Sequence, residues 1–463
     1  MSRSRAPAAS LASRTIAFWM GVALFASLAL FGGASRADAL NQPIVRILSI
    51  IISAILLLSM TQAQLQRARQ LMMLLGLFAF LCVLQLVPLP PGLWAQLPGH
   101  GSIAAALHDV GQFGSWRPWS LAPDRTVNAL LACSTIFATL LVLSLQERRS
   151  LESTIPIVLL VFLGISGMVG LSQIYGSGPY FYRITNDGNA VGFFANRNHF
   201  AFFLAMGFPL LAHLAVQSSQ RASKLAIQLT CGAIAIVLVA LLITNGSRGG
   251  IVLGIVGLIG GGAQIVLSSD RRILPKEAII TGAVLLLVLV ILAALFWYTG
   301  RGLSFSRLAE SSDTEGEMRW LALPTIVEMV RSYFPLGAGM GAFESAYKLV
   351  ERDELVSGTY LNHVHNDYLE LAIDAGIIGW ALLGWLVVVL IGHARRKLSS
   401  SQYRSATLMA VVVVVQFAIG SALDYPLRTA FMSALFSYAA FLIMRPIDDS
   451  ATNTRLGPAG AER

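Results

Sequence analysis

His363-Val-His-Asn-Asp-Tyr-Leu-Glu370 closes a polar interruption of 74 residues, Thr299 to Ala372, and runs straight into a hydrophobic span. Nearly everything around it reads as lipid-embedded helix. The chain is 56% hydrophobic and only 12% charged, against roughly 25% charged in soluble proteins. A large non-lipidic loop that ends in two histidines at a membrane boundary is where chemistry would sit.

Working outward from that loop, spans of about 20 apolar residues mark transmembrane helices. They fall near 15–32, 43–60, 71–87, 127–145, 155–174, 199–216, 225–244, 250–267, 278–298, 373–393, 406–423 and 429–444. The expected fold class is therefore an all-α polytopic integral membrane protein of about 12 transmembrane helices, a single domain over residues 1–463 with its large loop, 299–372, between helices 9 and 10. Charge placement supports the count. With the N-terminus in the cytoplasm the inner segments hold 19 Lys and Arg and the short outer loops 7, as the positive-inside bias requires. Both termini then lie in the cytoplasm and the long loop on the outer side of the membrane. The net charge of +9 reflects this orientation and anionic lipid headgroups. It is no nucleic-acid footprint, because no basic stripe interleaved with aromatics lies on a soluble face. Cys82, Cys133 and Cys231 all fall in apolar spans and form no disulfide or metal framework. Basic residues, an apolar run and Ala37-Asp-Ala39 imitate a signal peptide, but the run exceeds the usual length of about 7–15 residues, and the segment is read as the first span.

The outer loops carry glycine, aromatics and scattered arginine. Loop 88–126 opens with Pro88-Leu-Pro-Pro-Gly92 and contains Trp94, Trp116 and Trp119, read as interfacial anchors. In the long loop Trp320, Leu323, Val327, Val330 and Phe334 step by three and four. That spacing predicts an amphipathic helix on the membrane surface or capping the bundle, with Pro324 in its first turn. Pro335-Leu-Gly-Ala-Gly-Met-Gly341 reads as a compact turn. Asp367 followed by Glu370 fits a capping box that restarts a helix. His363, His365 and Asn366 then stand just before a helix N-terminus, where free N–H groups disfavour a protonated histidine. A neutral histidine can accept a proton, as a general base must.

The residues with chemistry in them share this side of the membrane. Asn196-Arg197-Asn198-His199 opens span six, Ser247-Arg248-Gly-Gly250 turns between spans seven and eight, and Arg319 begins the amphipathic helix. His363, His365 and Asn366 close the long loop, and Asp424-Tyr-Pro-Leu-Arg428 forms the last outer turn. Arginine there runs against the topological bias, and its planar fork of donors suits phosphate oxygens. The bland alternatives are anchoring to lipid phosphate for each arginine and loop-closing hydrogen bonds for each histidine. His363 and His365 also form a His-x-His pair, but no third His or Cys lies at ligand spacing, so no metal is expected. Glu310, Glu315, Glu317 and Glu370 are rival bases.

His365-Asn366, nine residues, then Gly376-Ile-Ile-Gly379 resembles the signature of the O-antigen ligase and bacterial polysaccharide polymerase superfamily. An arginine before a glycine-rich turn (Arg319, Pro335-Leu-Gly-Ala-Gly339) and an upstream Ser247-Arg248-Gly249 turn fit the same pattern. Asn196-Arg-Asn-His-Phe-Ala201 and Asp424-Tyr-Pro-Leu427 resemble its exopolysaccharide-polymerising and O-antigen-ligase-like subset, so the likeness covers roughly residues 185–430. The resemblance implies a GT-C-like inner-membrane glycosyltransferase that needs no cofactor and no metal. Its donor would be an undecaprenyl-pyrophosphate-linked glycan, its acceptor another glycan or lipid A core, and membrane lipids its surroundings. A flippase and a chain-length regulator would be its partners. By the same resemblance His365 activates the acceptor hydroxyl and Arg248 and Arg319 hold the pyrophosphate, with Arg197 read as a further donor-binding residue. Asn366, His363, His199, Asn196, Asp424 and Arg428 then support the site or bind acceptor. Polymerase stands ahead of ligase on the Asn-Arg-Asn-His and Asp-Tyr-Pro segments.

The rival from another class is a transporter or flippase of lipid-linked oligosaccharide. Transporters show internal repeats and charges near the bilayer midplane. No convincing repeat relates the halves of this chain, and its ionisable residues crowd the outer interface; Arg46 lies near the outer end of span two, within reach of the surface.

Overall fold

The computed structural model describes residues 11–36, 38–217, 224–268, 314–356 and 361–447, and the side chains of all of these except 11–14 and 314–318. The expected ninth span (278–298), Ala37 of the cleavage-like motif and Glu310 lie outside the described residues. The long helices are α1 (Leu11–Phe31), α2 (Asn41–Leu57), α3 (Arg69–Gln85), α4 (Pro123–Leu145), α5 (Ile155–Ile174), α6 (Arg197–Gln217), α7 (Lys224–Asn245) and α8 (Arg248–Ser268). After the undescribed segment come α9 (Thr314–Tyr333), α10 (Asp367–Leu398), α11 (Ser401–Leu423) and α12 (Ala430–Met444). Among the described residues 7 helical segments are long and apolar enough to cross a membrane, and the shorter α1, α2, α3 and α12 are apolar as well. Every expected span other than the ninth coincides with one of these helices. The one strand pair among the described residues joins Pro88–Leu89 to Arg117–Pro118 in the loop between α3 and α4.

α6 is the central helix. It is hydrophobic on all faces, which suits a helix with no lipid-facing side, and an 18-residue stretch of it is 83% buried. α8 reaches it through glycines: a Cβ at Gly250 would stand 2.4 Å from Ala201 Cβ, and one at Gly257 2.7 Å from the Ala205 carbonyl oxygen. Small residues let two helix backbones approach where the surrounding lipid gives no hydrophobic drive between helices. Gln416 of α11 clips the trio, its Nε2 donating to the carbonyls of Ala205 (2.9 Å) and Leu253 (3.0 Å).

α9 and the turns after it form a cap with a core of its own, in which Ala322, Ile326, Met329 and Tyr333 meet Phe343, Tyr347 and Ile373. Most of the expected stripe is therefore on the other face: Trp320 is 76% exposed, and Val327 and Phe334 are exposed too, while Val330 packs against the cap core. Pro324 sits inside α9, not in its first turn. Trp94 and Trp119 are buried in the same cap and donate to the carbonyls of Pro118 (2.8 Å) and Gly337 (2.9 Å). They tie loops together instead of anchoring at an interface, while Trp116 alone of the three is exposed.

Candidate active site

The Pro335–Gly341 turn fixes the entrance of α10. Gly337, Gly339 and Gly341 all have positive φ, and so does Gly376, which breaks α10 one turn below Ala372. At that break Ile377 N–H donates to Pro335 O (2.9 Å), Ala338 N–H to Ile373 O (2.7 Å) and Gly339 N–H to Asp374 O (3.0 Å). A Cβ on Gly376 would lie 1.9 Å from the Pro335 carbonyl oxygen. The spacing from His365-Asn366 to Gly376 is thus the length of helix needed to seat the turn beneath the histidines.

Asn366 caps α10, its Oδ1 accepting from the N–H groups of Tyr368 and Leu369, both at 3.0 Å. The expected capping box is displaced by this: Asp367 is the first helical residue and its carboxylate accepts instead from Ser421 Oγ (2.8 Å). His365, immediately before the cap, is the one non-glycine residue with positive φ (58°) among the described residues. Histidine tolerates this region better than most residues, at a cost of order 1–3 kcal/mol. The strained backbone aims its ring at the last turn of the bundle.

There His365 Nδ1 meets Asp424 Oδ1 at 3.0 Å, across 59 residues of sequence. Asp424 is fully buried. Its other oxygen accepts from Asn198 Nδ2 (2.7 Å), Asn198 Oδ1 accepts from Ser247 Oγ (2.8 Å), and Ser247 Oγ accepts from Gly250 N–H (3.1 Å). One carboxylate so joins the starts of α10, α6 and α8 to the end of α11. Burial pushes the Asp424 carboxyl up, but the His365 hydrogen bond, with the nearby histidines and the Arg319 guanidinium, more than reverses this and holds it well below the ordinary carboxylate range. An ionised carboxylate only accepts, so Nδ1 of His365 carries the proton. Nε2 is left as the basic nitrogen of the ring.

Tyr425 is the hub around which the histidines stand, with ring centroids 5.2 Å from His199, 4.4 Å from His363 and 4.8 Å from His365. Its hydroxyl is bonded to Asn196, and burial with the adjacent Asp424 charge raises its pKa. His199 is fully buried and neither ring nitrogen has a hydrogen-bond partner among the described residues. His363 Nδ1 lies 2.8 Å from Glu370 Oε1, and Glu370 Oε2 accepts from Val364 N–H (3.0 Å). Glu370 is buried and engaged at both oxygens, which disqualifies it as a rival base. The side chains of Glu315 and Glu317 fall outside the description.

The arginines divide into two kinds. Arg428 is committed to carboxylates, 3.1 Å from Glu370 and 3.6 Å from both Asp367 and Asp374. Burial lowers its pKa, yet those three charges outweigh burial and raise it above the ordinary arginine value. Arg319, Arg197 and Arg248 belong to the His365 side. Arg319 is close enough for its charge to act on both Asp424 and Tyr425. Arg197 opens α6 next to Asn198, with Nη1 3.4 Å from Asn189 Oδ1. Arg248 is exposed at the first residue of α8, directly after Ser247. The structure therefore gathers the expected site residues at one end of the bundle. It adds Tyr425, Asn198 and Ser247, which lay inside the quoted motifs without a role. Asp374 had no sequence signal.

Residues 233–384, about a third of the chain, match the family described as O-Antigen ligase. The matched stretch runs from within α7 to within α10 and holds Arg248, Arg319, His363, His365, Gly376 and Gly379. Arg197, Asp424 and Arg428 stand outside it and are tied to the site by geometry. No curated protein matches the chain.

Proposed function

We infer from this O-antigen ligase domain, set among apolar helices, that the chain is a glycan ligase or polymerase of the inner membrane. Its donor is an undecaprenyl-pyrophosphate-linked glycan, and the site faces the periplasm. The observation that carries the reading is the Asp424 bridge, which fixes the His365 tautomer and ties it to the arginine-bearing starts of α6 and α8.

In this reading Nε2 of His365 removes the proton from an acceptor hydroxyl as that oxygen attacks the anomeric carbon. The bond from that carbon to the pyrophosphate oxygen breaks, and its electron pair leaves with the pyrophosphate. Arg319, Arg248 and Arg197 receive the charge that develops there, which is the contribution a metal would otherwise make. Asp424 stabilises the imidazolium once it has formed. Asn366 holds the start of α10, while His363, Glu370 and Arg428 hold the loop from which His365 projects. The Asn-Arg-Asn-His and Asp-Tyr-Pro segments, which meet through Asn198 and Asp424, favour polymerisation over ligation to lipid A core.

The test is transfer in proteoliposomes with a labelled undecaprenyl-pyrophosphate glycan. His365→Ala is expected to lower the rate by about 10²–10⁴, the usual contribution of a general base. Unchanged transfer in that variant would refute the assignment. A ladder of products indicates a polymerase and a single addition to lipid A core a ligase. No product from the folded wild-type protein would bring the transporter reading forward.

A further inference from the structure

A cavity of about 520 Å³ is lined by residues of α2, α3, α4, α10, α11 and α12, and neither Arg197 nor Arg248 is in its lining. It is amphiphilic along its length. One end is lined by Arg46, Arg125, Asn128, His363 and Arg428, and the rest by apolar side chains such as Leu75, Phe78, Leu382, Leu386, Leu390 and Val414. Along α10 the lining runs from Asp367 to Leu390, a rise of roughly 35 Å at ~1.5 Å per residue, close to the ~30 Å of a hydrocarbon core. That length and the apolar lining suit a lipid tail, and the polar end suits a charged head group.

The polar end gathers four arginines, Arg36, Arg46, Arg125 and Arg428, and three of them are paired with carboxylates. Arg36 is paired with Asp38 (3.0 Å), Arg125 with Glu344 (3.1 Å), and Arg428 with its carboxylate cluster. Arg46 has neutral partners instead: Nη1 donates to Asn128 Oδ1 (2.7 Å) and Nη2 to Gln42 Oε1. It makes no ion pair among the described residues, although it is half-buried within the apolar α2. A charge in such a place is costly without a counter-ion, and the groups around it supply none.

We propose that this cavity is a second lipid site, which seats a single polyprenyl chain along α3 and α10 with its phosphate against Arg46. Assigning that lipid to the acceptor glycan rests on the glycosyl-transfer reading, whereas the binding itself does not. His363 belongs to the cavity lining and packs at a tilt of 42° against the Tyr425 ring that His365 also touches. The cavity that holds Arg46 thus reaches, through His363, to within one ring of the base.

The experiment uses the full chain in nanodiscs, a photoreactive undecaprenyl phosphate, and mapping of the labelled peptides. Wild type is expected to be labelled on α3 and α10. Leu386→Trp, which fills the cavity, should abolish that label, and Arg46→Gln should weaken it about ten- to a hundredfold, the worth of a hydrogen bond to a charged group. Thermal melting checks that both variants are folded. Inorganic phosphate should not displace the probe, and neither should a two-chain anionic phospholipid at equal concentration. Displacement by either, or by lipid A, would overturn the proposal, as would an unchanged label in Leu386→Trp. Loss of cavity labelling in Leu386→Trp with transfer intact keeps the lipid site and overturns its assignment to the acceptor glycan. Cavity labelling in a wild-type protein that transfers no glycan leaves the site standing and defeats the glycosyl-transfer reading instead.

Discussion

The Asp424 carboxylate decides what the His365 ring can do. It accepts the Nδ1–H hydrogen bond and leaves Nε2 basic, so Asp424→Asn is expected to slow transfer by about 10²–10⁴ while donor binding changes little. Single-turnover rates measured beside donor affinity would separate the two, and an equal loss in both would mean that Asp424 serves binding. Its titration gives a second readout. The folded carboxyl sits below its ordinary value, so its contribution to stability is complete above about pH 4 and is lost only as pH falls from there toward the folded pKa. The melting difference between wild type and Asp424→Asn should therefore hold steady from neutral pH down to about 5 and narrow only below ~4. Narrowing between pH 7 and pH 6 would contradict the geometry. His365 was legible in the sequence because it stands next to a helix start. Its partner was not legible as a partner, since a contact across 59 residues leaves no local pattern. Arg428 looked like another phosphate-binding fork, and only the positions of Glu370, Asp367 and Asp374 show where its charge is spent.

Among the helices, α10 is the one whose interruption matters. Gly376→Ala would put a methyl group against the Pro335 carbonyl and force an alanine to φ 55°. The loss expected is at least the ~1–3 kcal/mol of such a backbone strain, together with the docking of the Pro335–Gly341 turn. Gly384, in the same helix, has nothing within 4 Å of an added Cβ, and Gly384→Ala should be neutral or stabilising by up to ~1 kcal/mol. Melting of the pair in detergent tests this, and equal melting points would show that the turn is not seated on Gly376. The apolar spans were readable because nearly every residue of a lipid-embedded helix is apolar, a signal that survives without any knowledge of neighbours. α9 was harder. It has one apolar face inside the cap (Ala322, Ile326, Met329, Tyr333) and another outside (Trp320, Val327). Periodicity found the helix, and size favoured the wrong face, because small alanine and flexible methionine carry less weight than tryptophan.

For the molecule as a whole, the site is a seam between two sides of the bundle. Arg197, Arg248 and Arg319 lie on the α6 and α8 side, the amphiphilic cavity on the α3 and α10 side, and Asp424 with Tyr425 between them. Such an arrangement can serve two lipid-borne substrates only if this end of the bundle faces the compartment in which both carry their glycans. The bias of 19 inner against 7 outer Lys and Arg is the ground for expecting that end on the periplasmic side, and thiol labelling tests the expectation directly. Cys82, Cys133 and Cys231 are free and buried in helices, so the native chain should give little background. Asp187 and Trp116 are exposed in loops at the site-bearing end, and Arg149 is exposed at the opposite end, between α4 and α5. A membrane-impermeant maleimide applied to spheroplasts should label Asp187→Cys and Trp116→Cys, and reach Arg149→Cys only after the membrane is opened. The reverse pattern would put His365 and the Arg46 cavity in the cytoplasm. In that case a donor displayed at the periplasmic face could not be the substrate, however well the arginines and the histidine are placed.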